Sequence, residues 1–218
     1  MTPRCWVKSL GSFAPYSPFI SLALEKFLWI SRRVLLNGVA YRIDFEHWIP
    51  FPLEQVFVFF ANPQNLARIM PPKSDTRIEK LQLVPPTWLP PGRFDPGQVL
   101  AGVGSEIITS FRTAPPLPFR GTWIARITEF EWNHHFCDVQ VKGPFARWRH
   151  RHGLTAEERN GVIGTRVRDE VEYEIGYGLL GGAAQKLFVG PQMKSTFEHR
   201  QRVLENLLRE SLSQPEDA

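Results

Sequence analysis

The sequence predicts an α+β domain in which seven antiparallel strands pack against one long C-terminal helix, with two short helices after the first strand. Three observations predict it. Seven segments alternate apolar and polar residues with period two, and six of them follow one another without an intervening helix. Consecutive strands with short links imply an antiparallel sheet. One stretch near the C-terminus carries an apolar stripe at helical spacing, which has to be buried against that sheet.

The first strand is Tyr41–Ile49, where Tyr41, Ile43, Phe45 and Ile49 share one parity, and Pro50 and Pro52 end it. Leu53, Val56, Phe57 and Phe60 then fall at helical spacing up to Ala61. Asn62-Pro63 supplies an N-cap and a first-turn proline for a second short helix, to about Ile69, which Pro71-Pro72 terminates. Thr76–Val84 is the second strand. Residues 85–103, rich in proline, form a long loop. Five strands follow, over Glu106–Thr113, Phe119–Phe130, Phe136–Lys142, Ala146–Glu157 and Val162–Ile175. Helix is predicted after Gly181-Gly182 to about Leu212, with Met193, Phe197, Leu204, Leu207 and Leu208 as its stripe. Pro191 starts or kinks it.

The 218 residues fit one domain, and 16 Phe and 7 Trp are ample for a core. The formal charge of +4 is local. Residues 1–40 hold five basic groups (Arg4, Lys8, Lys26, Arg32, Arg33) against Glu25, and residues 41–218 are neutral overall. A neutral body lacks the field that drives phosphate contact, so no nucleic-acid partner is expected. Cys5 and Cys137 lie far apart and lack a second cysteine at metal-ligand spacing, which points to a reducing compartment, the cytoplasm. Cys137 reads as a small buried strand residue.

Phe19–Leu36 is apolar but interrupted by Glu25-Lys26 and Arg32-Arg33, which is not a bilayer span. The basic extension 1–40, disordered or not, has three readings: an amphipathic helix making peripheral membrane or partner contact through 19–36, an organelle leader, or an artefact of the start site, with translation beginning near Val39 or Tyr41. The last is preferred.

The strongest functional signal is the run from Gly143 to Leu154. One parity carries Trp148, His150, His152 and Leu154, the other Arg147, Arg149 and Arg151. Strand side chains alternate between faces, so the arginines face water and the Trp/His parity faces inward. Asn160-Gly161 is a strong hairpin signal. As a two-residue turn it pairs Arg151 with Glu170, Arg149 with Glu172 and Arg147 with Glu174 on the outer face. A shift of two residues keeps only two of these opposite-charge pairs. On the inner face the same register sets His152 opposite Asp169, His150 opposite Val171 and Trp148 opposite Tyr173.

A carboxylate facing a cavity is costly unless paired, and His152 is the predicted partner of Asp169. Asp169 then orients the imidazole and raises its pKa. The pair either satisfies two buried polar groups while orienting a ligand, or acts as general base and orienter. Trp123 and Ile127 share a parity and either line the pocket or pack under the helix. For Phe136–Gln140 two readings stay open: the apolar parity puts Cys137 and Val139 inside, and a bulge near Asn133 would reverse this. His134-His135 falls in a turn and reads as solvated. His150 and His152 could chelate a metal with Asp169 as third ligand, but no metal and no cofactor are expected. Arg200 is either a solvated helix residue or a tie from the helix to the sheet.

The element order resembles the helix-grip fold of the START-like (SRPBCC) superfamily, which includes birch-pollen-allergen-like proteins, lipid-transfer domains and polyketide cyclases. The motifs similar to a ligand-binding, cyclase/dehydrase-like branch are Pro52-x-Glu54-x-Val56-Phe57-x-Phe59-Phe60, Asn62-Pro63-x-Asn65-Leu66, Pro71-Pro72 and Trp123-x-x-x-Ile127. Further along come Gly143-Pro144-Phe145-x-x-Trp148-x-His150-x-His152, Gly164-Thr165-x-x-x-Asp169-x-Val171-x-Tyr173 and Phe197-x-x-Arg200. Leu154 departs from it, an aromatic being more usual there. The resemblance implies a START-like ligand-binding domain over 41–212, with a tail at 213–218, and a curved sheet wrapped around the helix with an apolar cavity between them. A hydrophobic small molecule such as a lipid, quinone or polyketide-like ring is the expected ligand, contacted by Trp123, Ile127, Trp148, His150, His152, Asp169, Val171, Tyr173 and Phe197. A binding module is preferred to the two alternatives, a cyclase or dehydratase using His152 and Asp169, and a protein-interaction module.

Overall fold

The computed structural model describes residues 39–90, 99–113, 119–176 and 178–213. The amphipathic stretch 19–36 and the tail 214–218 lie outside the described residues, as does the middle of the 85–103 loop. The strands are β1 (Val39–Ile49), β2 (Arg77–Gln82), β3 (Glu106–Arg112), β4 (Arg120–Glu131), β5 (His135–Lys142), β6 (Arg147–Arg159) and β7 (Val162–Ile175). They form one antiparallel sheet in the order β1-β7-β6-β5-β4-β3-β2. Helix α1 spans Leu53–Ala61, and α2 (Leu66–Ile69) follows a 3-10 turn over Pro63–Asn65 that Asn62 caps through its side chain, 3.0 Å from the Gln64 amide. Helix α3 (Gly178–Ala184) and helix α4 (Gly190–Ser213) close the chain. Among the described residues no helix is long and apolar enough to cross a membrane.

The C-terminal helical region starts at Gly178, earlier than the sequence indicates. The predicted breaker Gly181 is instead a close-packing residue, because a Cβ there would lie 2.3 Å from the Gly176 carbonyl oxygen. Pro191 lies just after a π-helical turn, Gln185–Val189, in which the Gly190 amide donates to the Gln185 carbonyl. A proline has no amide for the carbonyl four residues back, and the wider turn absorbs that mismatch.

Asn160 and Gly161 both have positive φ, 52° and 75°, and β6 pairs with β7 from Arg159↔Val162 to Arg147↔Glu174, in the predicted register. A two-residue turn with both φ positive matches the strand twist. Two predicted cross-strand ion pairs close, Arg151–Glu170 at 3.4 Å and Arg147–Glu174 at 3.6 Å. Arg149 instead reaches across β5 to Glu129 at 2.9 Å, and Glu172 meets Arg42 at 3.6 Å. These are exposed or half-exposed pairs, each contributing about 0–1 kcal/mol.

Among the described residues the core has two parts. Val56, Phe57, Phe136, Leu154, Val167, Leu204 and Leu208 join α1, the sheet and the C-terminal half of α4. Trp148, Val171, Tyr173 and Phe197 join the sheet to the start of α4. Between these two apolar clusters lies a group of buried polar side chains.

Candidate functional site

The strand β6 alternation places His150 and His152 side by side on the inner face, their ring centroids 3.8 Å apart. Both are buried, as is Asp169 on β7. Asp169 stands opposite His152 in register, yet its hydrogen bond goes diagonally: His150 donates Nε2–H to Asp169 Oδ1 at 2.9 Å. His152 Nδ1 lies at the same 2.9 Å from that oxygen but misses hydrogen-bond geometry, so its contact is electrostatic. The predicted His152–Asp169 pair is therefore a triad with His150 as the hydrogen-bonded member. Phe136 fixes His152 from the other side, stacked at 4.3 Å.

Three further polar groups converge on this point. Asp138 on β5 pairs with His150 in register, and its Oδ2 lies 3.7 Å from His150 Nδ1 and 3.6 Å from His152 Nε2. Strand β5 thus has Phe136 and Asp138 facing inward, and Cys137, opposite Arg151, facing out. This is the reversed parity; the β4–β5 register shifts between Ile127 and Glu129, and Asn133 in the turn has φ 56°. Cys137 is nevertheless fully buried, and that burial pushes its thiol up to about 11, so it is no nucleophile at neutral pH. Arg200 on α4 brings a guanidinium nitrogen to 3.9 Å from Asp169 and lies over the Phe197 ring at 4.9 Å; it ties the helix to the sheet. His47 on β1 belongs to the same neighbourhood, with neither ring nitrogen hydrogen-bonded among the described residues.

The signals for these residues were present in the sequence. His47 shares the parity of Phe45 and Ile49. Arg200 falls three residues after Phe197 and four before Leu204, inside the apolar stripe. Asp138 alone needed the β5–β6 register, which sets it opposite His150.

The shared environment pushes the titrating groups in opposite directions. Burial, then the neighbouring charge on His152, lowers His150 to about 4, against the pull of Asp169 and Asp138. Burial also opposes charge on His152, but Asp138 and Asp169 outweigh it and raise its pKa. Burial opposes ionisation of Asp169, but the Arg200 charge and the two imidazoles hold it well below the ordinary carboxylate value. Burial lowers His47, with Asp169 pulling the other way and Arg200 adding to the fall. The site at neutral pH therefore holds neutral His150 and His47 and anionic Asp169 beside Arg200, with His152 the imidazole that keeps its proton to higher pH. An NMR titration of ring resonances is expected to show His150 neutral down to about pH 4 and His152 charged to above pH 6.5, its ordinary value. Both rings titrating together near 6.5 would contradict this geometry.

A cavity of about 430 Å³ opens beside the cluster. Trp123, Ile127, Trp148, His150, His152 and Phe197, all predicted contacts, line it together with Asp138 and Arg200. Trp123 and Trp148 meet edge to face at 5.0 Å. Asp169, Val171 and Tyr173 are on the inner face of the sheet as predicted but are not part of the cavity wall. Tyr173 is covered by Tyr41, Phe145 and Trp148, at ring distances of 5.5, 5.3 and 6.0 Å, and Val171 is packed in the same cluster with Phe197. Facing inward is not the same as facing empty space when a helix side chain fills the gap.

No protein-family model matches the sequence, and no curated protein matches it. Solved structures do. The chain is similar to TTHA0849 from Thermus thermophilus, with 20% identity and a TM-score of 0.54 over 79% of this chain and 100% of that one. It is also similar to a point mutant of norcoclaurine synthase from Thalictrum flavum, in complex with a transition-state analogue, with 15% identity and a TM-score of 0.52 over 82% of this chain and 99% of that one.

Proposed function

With the helix-grip fold of the START-like superfamily as its frame, we propose that this chain binds a hydrophobic small molecule between the sheet and helix α4. The observation that carries the reading is the cavity of about 430 Å³, walled by aromatic and aliphatic side chains with its ionisable groups gathered at one place. Pockets for organic ligands have this composition: apolar walls supply affinity and a few polar groups fix orientation. The rings of Trp123, Phe145 and Trp148 form one wall, and a flat, partly unsaturated molecule carrying one oxygen function fits both features. The oxygen would meet His152, His150 or Arg200, all in the lining, with His150 edge to face against the Trp148 ring at 6.0 Å.

Native mass spectrometry and solvent extraction of the purified protein are expected to recover a bound apolar molecule. An environment-sensitive fluorescent probe should bind the emptied protein, and Ala125→Trp, which fills the lining at a position otherwise occupied by a methyl group, should weaken the probe by more than about tenfold. A stable Ala125→Trp variant that binds the probe as the native chain does would sink the reading.

A second reading, catalysis of a cyclisation or dehydration, is favoured by one observation: two adjacent imidazoles whose pKa values are pushed apart. Such pairs are how a site holds an acid and a base at one pH. The base assignment then changes. Of the two imidazoles His152 holds its proton more tightly, so it is the donor, and neutral His150 offers the lone pair on Nδ1. Solved relatives include a synthase by name, and identity at this level carries the fold alone. Turnover of candidate substrates that persists unchanged in His152→Gln would remove this reading and leave the binding one standing.

A further inference from the structure

The two histidines are arranged symmetrically between two carboxylates. One nitrogen of each ring, His150 Nε2 and His152 Nδ1, lies 2.9 Å from Asp169 Oδ1. The other nitrogen of each ring, His150 Nδ1 and His152 Nε2, turns to Asp138 Oδ2, at 3.7 and 3.6 Å. A carboxylate only accepts, so His150 donates from Nε2, and its Nδ1 in the neutral ring is a bare lone pair. The separations on the Asp138 side are too long for hydrogen bonds. They are close to the spacing of donors around an ion: four ligands at ~2.0–2.1 Å in a tetrahedron stand roughly 3.3–3.4 Å from one another. The three donor atoms lie within 4.8 Å of one another, so side-chain movement of at most about 1.5 Å closes the set to that tetrahedral spacing.

We propose that Asp138, His150 and His152 form a binding site for a divalent transition ion of the zinc class, with Asp169 as the carboxylate that orients both imidazoles from behind. All three ligands line the cavity and Asp169 does not, so the remaining coordination position faces the space a small molecule would enter. Three protein ligands with one open position is the arrangement of a metal that takes an exogenous oxygen donor. Two imidazole nitrogens and one carboxylate oxygen select against magnesium and calcium, which take oxygen ligands. A carboxylate behind a metal-bound histidine fixes the tautomer and ring orientation, and Asp169 stands behind both rings here, hydrogen-bonded to His150 and in electrostatic contact with His152. The histidine spacing is the one the sequence shows, but the ligating carboxylate is Asp138, because Asp169 lies on the far side of the rings from the cavity. The site stands whether or not the cavity takes an apolar ligand.

The test uses the full chain stripped with a chelator, titrated with Zn²⁺, Co²⁺ and Mg²⁺. One Zn²⁺ per chain is expected, with Mg²⁺ failing to compete. Paramagnetic Co²⁺ should broaden the ring resonances of His150 and His152 and of their neighbour Phe136 first. Asp138→Asn should weaken Zn²⁺ by at least about tenfold, and Asp169→Asn by about 10–100-fold. A competing cluster, Glu131, His134 and His135, is on the surface at the β4–β5 turn, and His134→Ala should leave Zn²⁺ binding unchanged. Absence of stoichiometric uptake overturns the proposal. So does broadening confined to His134 and His135, or an Asp138→Asn variant that binds Zn²⁺ like the native chain. If Asp138→Asn does not fold, the Co²⁺ broadening on the native chain decides alone. Probe binding by the metal-free chain reports on the apolar cavity separately, so failure of one reading is distinguishable from failure of the other.

Discussion

Replacing Asp169 with alanine is expected to cost about 3–5 kcal/mol of folding stability, the range for removing one member of a buried charge group. The size follows from what stays behind. Asp169 is 2% exposed and touches His150, His152 and Arg200 at once. A histidine left without its carboxylate can shed its proton, but a guanidinium cannot. Arg200 is therefore the stranded charge, held between the Phe197 and Phe60 rings at 4.9 and 5.9 Å. Urea unfolding of Asp169→Ala against the native chain measures the loss, and Glu170→Gln, on the outer face of the same strand, serves as control with an expected change under about 1 kcal/mol. A loss for Asp169→Ala no larger than the control would mean that the cluster is already open to water.

The pH dependence of that difference has a definite sign. The folded pKa of Asp169 is held below its ordinary value of 3.8. Its contribution is therefore complete above pH 3.8 and is lost as pH falls toward the folded value. The gap between native and Asp169→Ala should be full at pH 7 and shrink below pH 3.8. The histidines act in a higher window and against each other. His150, lowered from 6.5 to about 4, favours the folded state above pH 6.5 and costs stability as pH falls between those values. His152, raised above 6.5, contributes fully below that pH and loses its contribution as pH rises through the folded value.

The strand order, the helix and the β6–β7 register were legible because each rests on a local rule. Asn160-Gly161 tolerates the two positive φ values the hairpin needs, and once that turn is placed every pairing back to Arg147↔Glu174 is counted off. Which polar groups actually touch was less legible. Register names the Cα neighbour of Asp169, and that is His152, but side chains lean along the strand, and the hydrogen bond falls to His150. Asp138 was hidden by a conflict between two rules. Apolar parity favoured Cys137 and Val139 inside, while the register against β6, Phe136↔His152 and Asp138↔His150, puts Phe136 and Asp138 inward. A thiol buried on the outer face, under the Arg149–Glu129 pair at 2.9 Å, made the wrong parity look apolar. Arg200 was readable only once the stripe was understood to cover a charged cluster as well as a hydrocarbon one.

That last point sets the second large effect, at Phe197. Its ring is 3% exposed, stacked on Phe45 at 4.2 Å and 12°, and edge-on to His150 at 5.5 Å. Phe197→Ala is expected to cost about 3–5 kcal/mol, combining lost transfer energy with the cavity left behind. Leu204→Ala, one helical step beyond Arg200 and 1% exposed, should cost about 2–5 kcal/mol from the other apolar cluster. Stability alone therefore does not separate the two positions, but the histidines do. Phe197 shields His150 from water, and burial is the first cause of that ring's depressed pKa. Removing the phenyl group admits water and should move His150 up from about 4 toward 6.5, whereas Leu204→Ala should leave it in place. Ring resonances followed by NMR in both variants, below their unfolding transitions, read this directly. If the two substitutions shift His150 alike, or neither does, then the helix acts on the site only through global stability, and the Phe197 ring is core packing with no hold on the polar cluster beneath it.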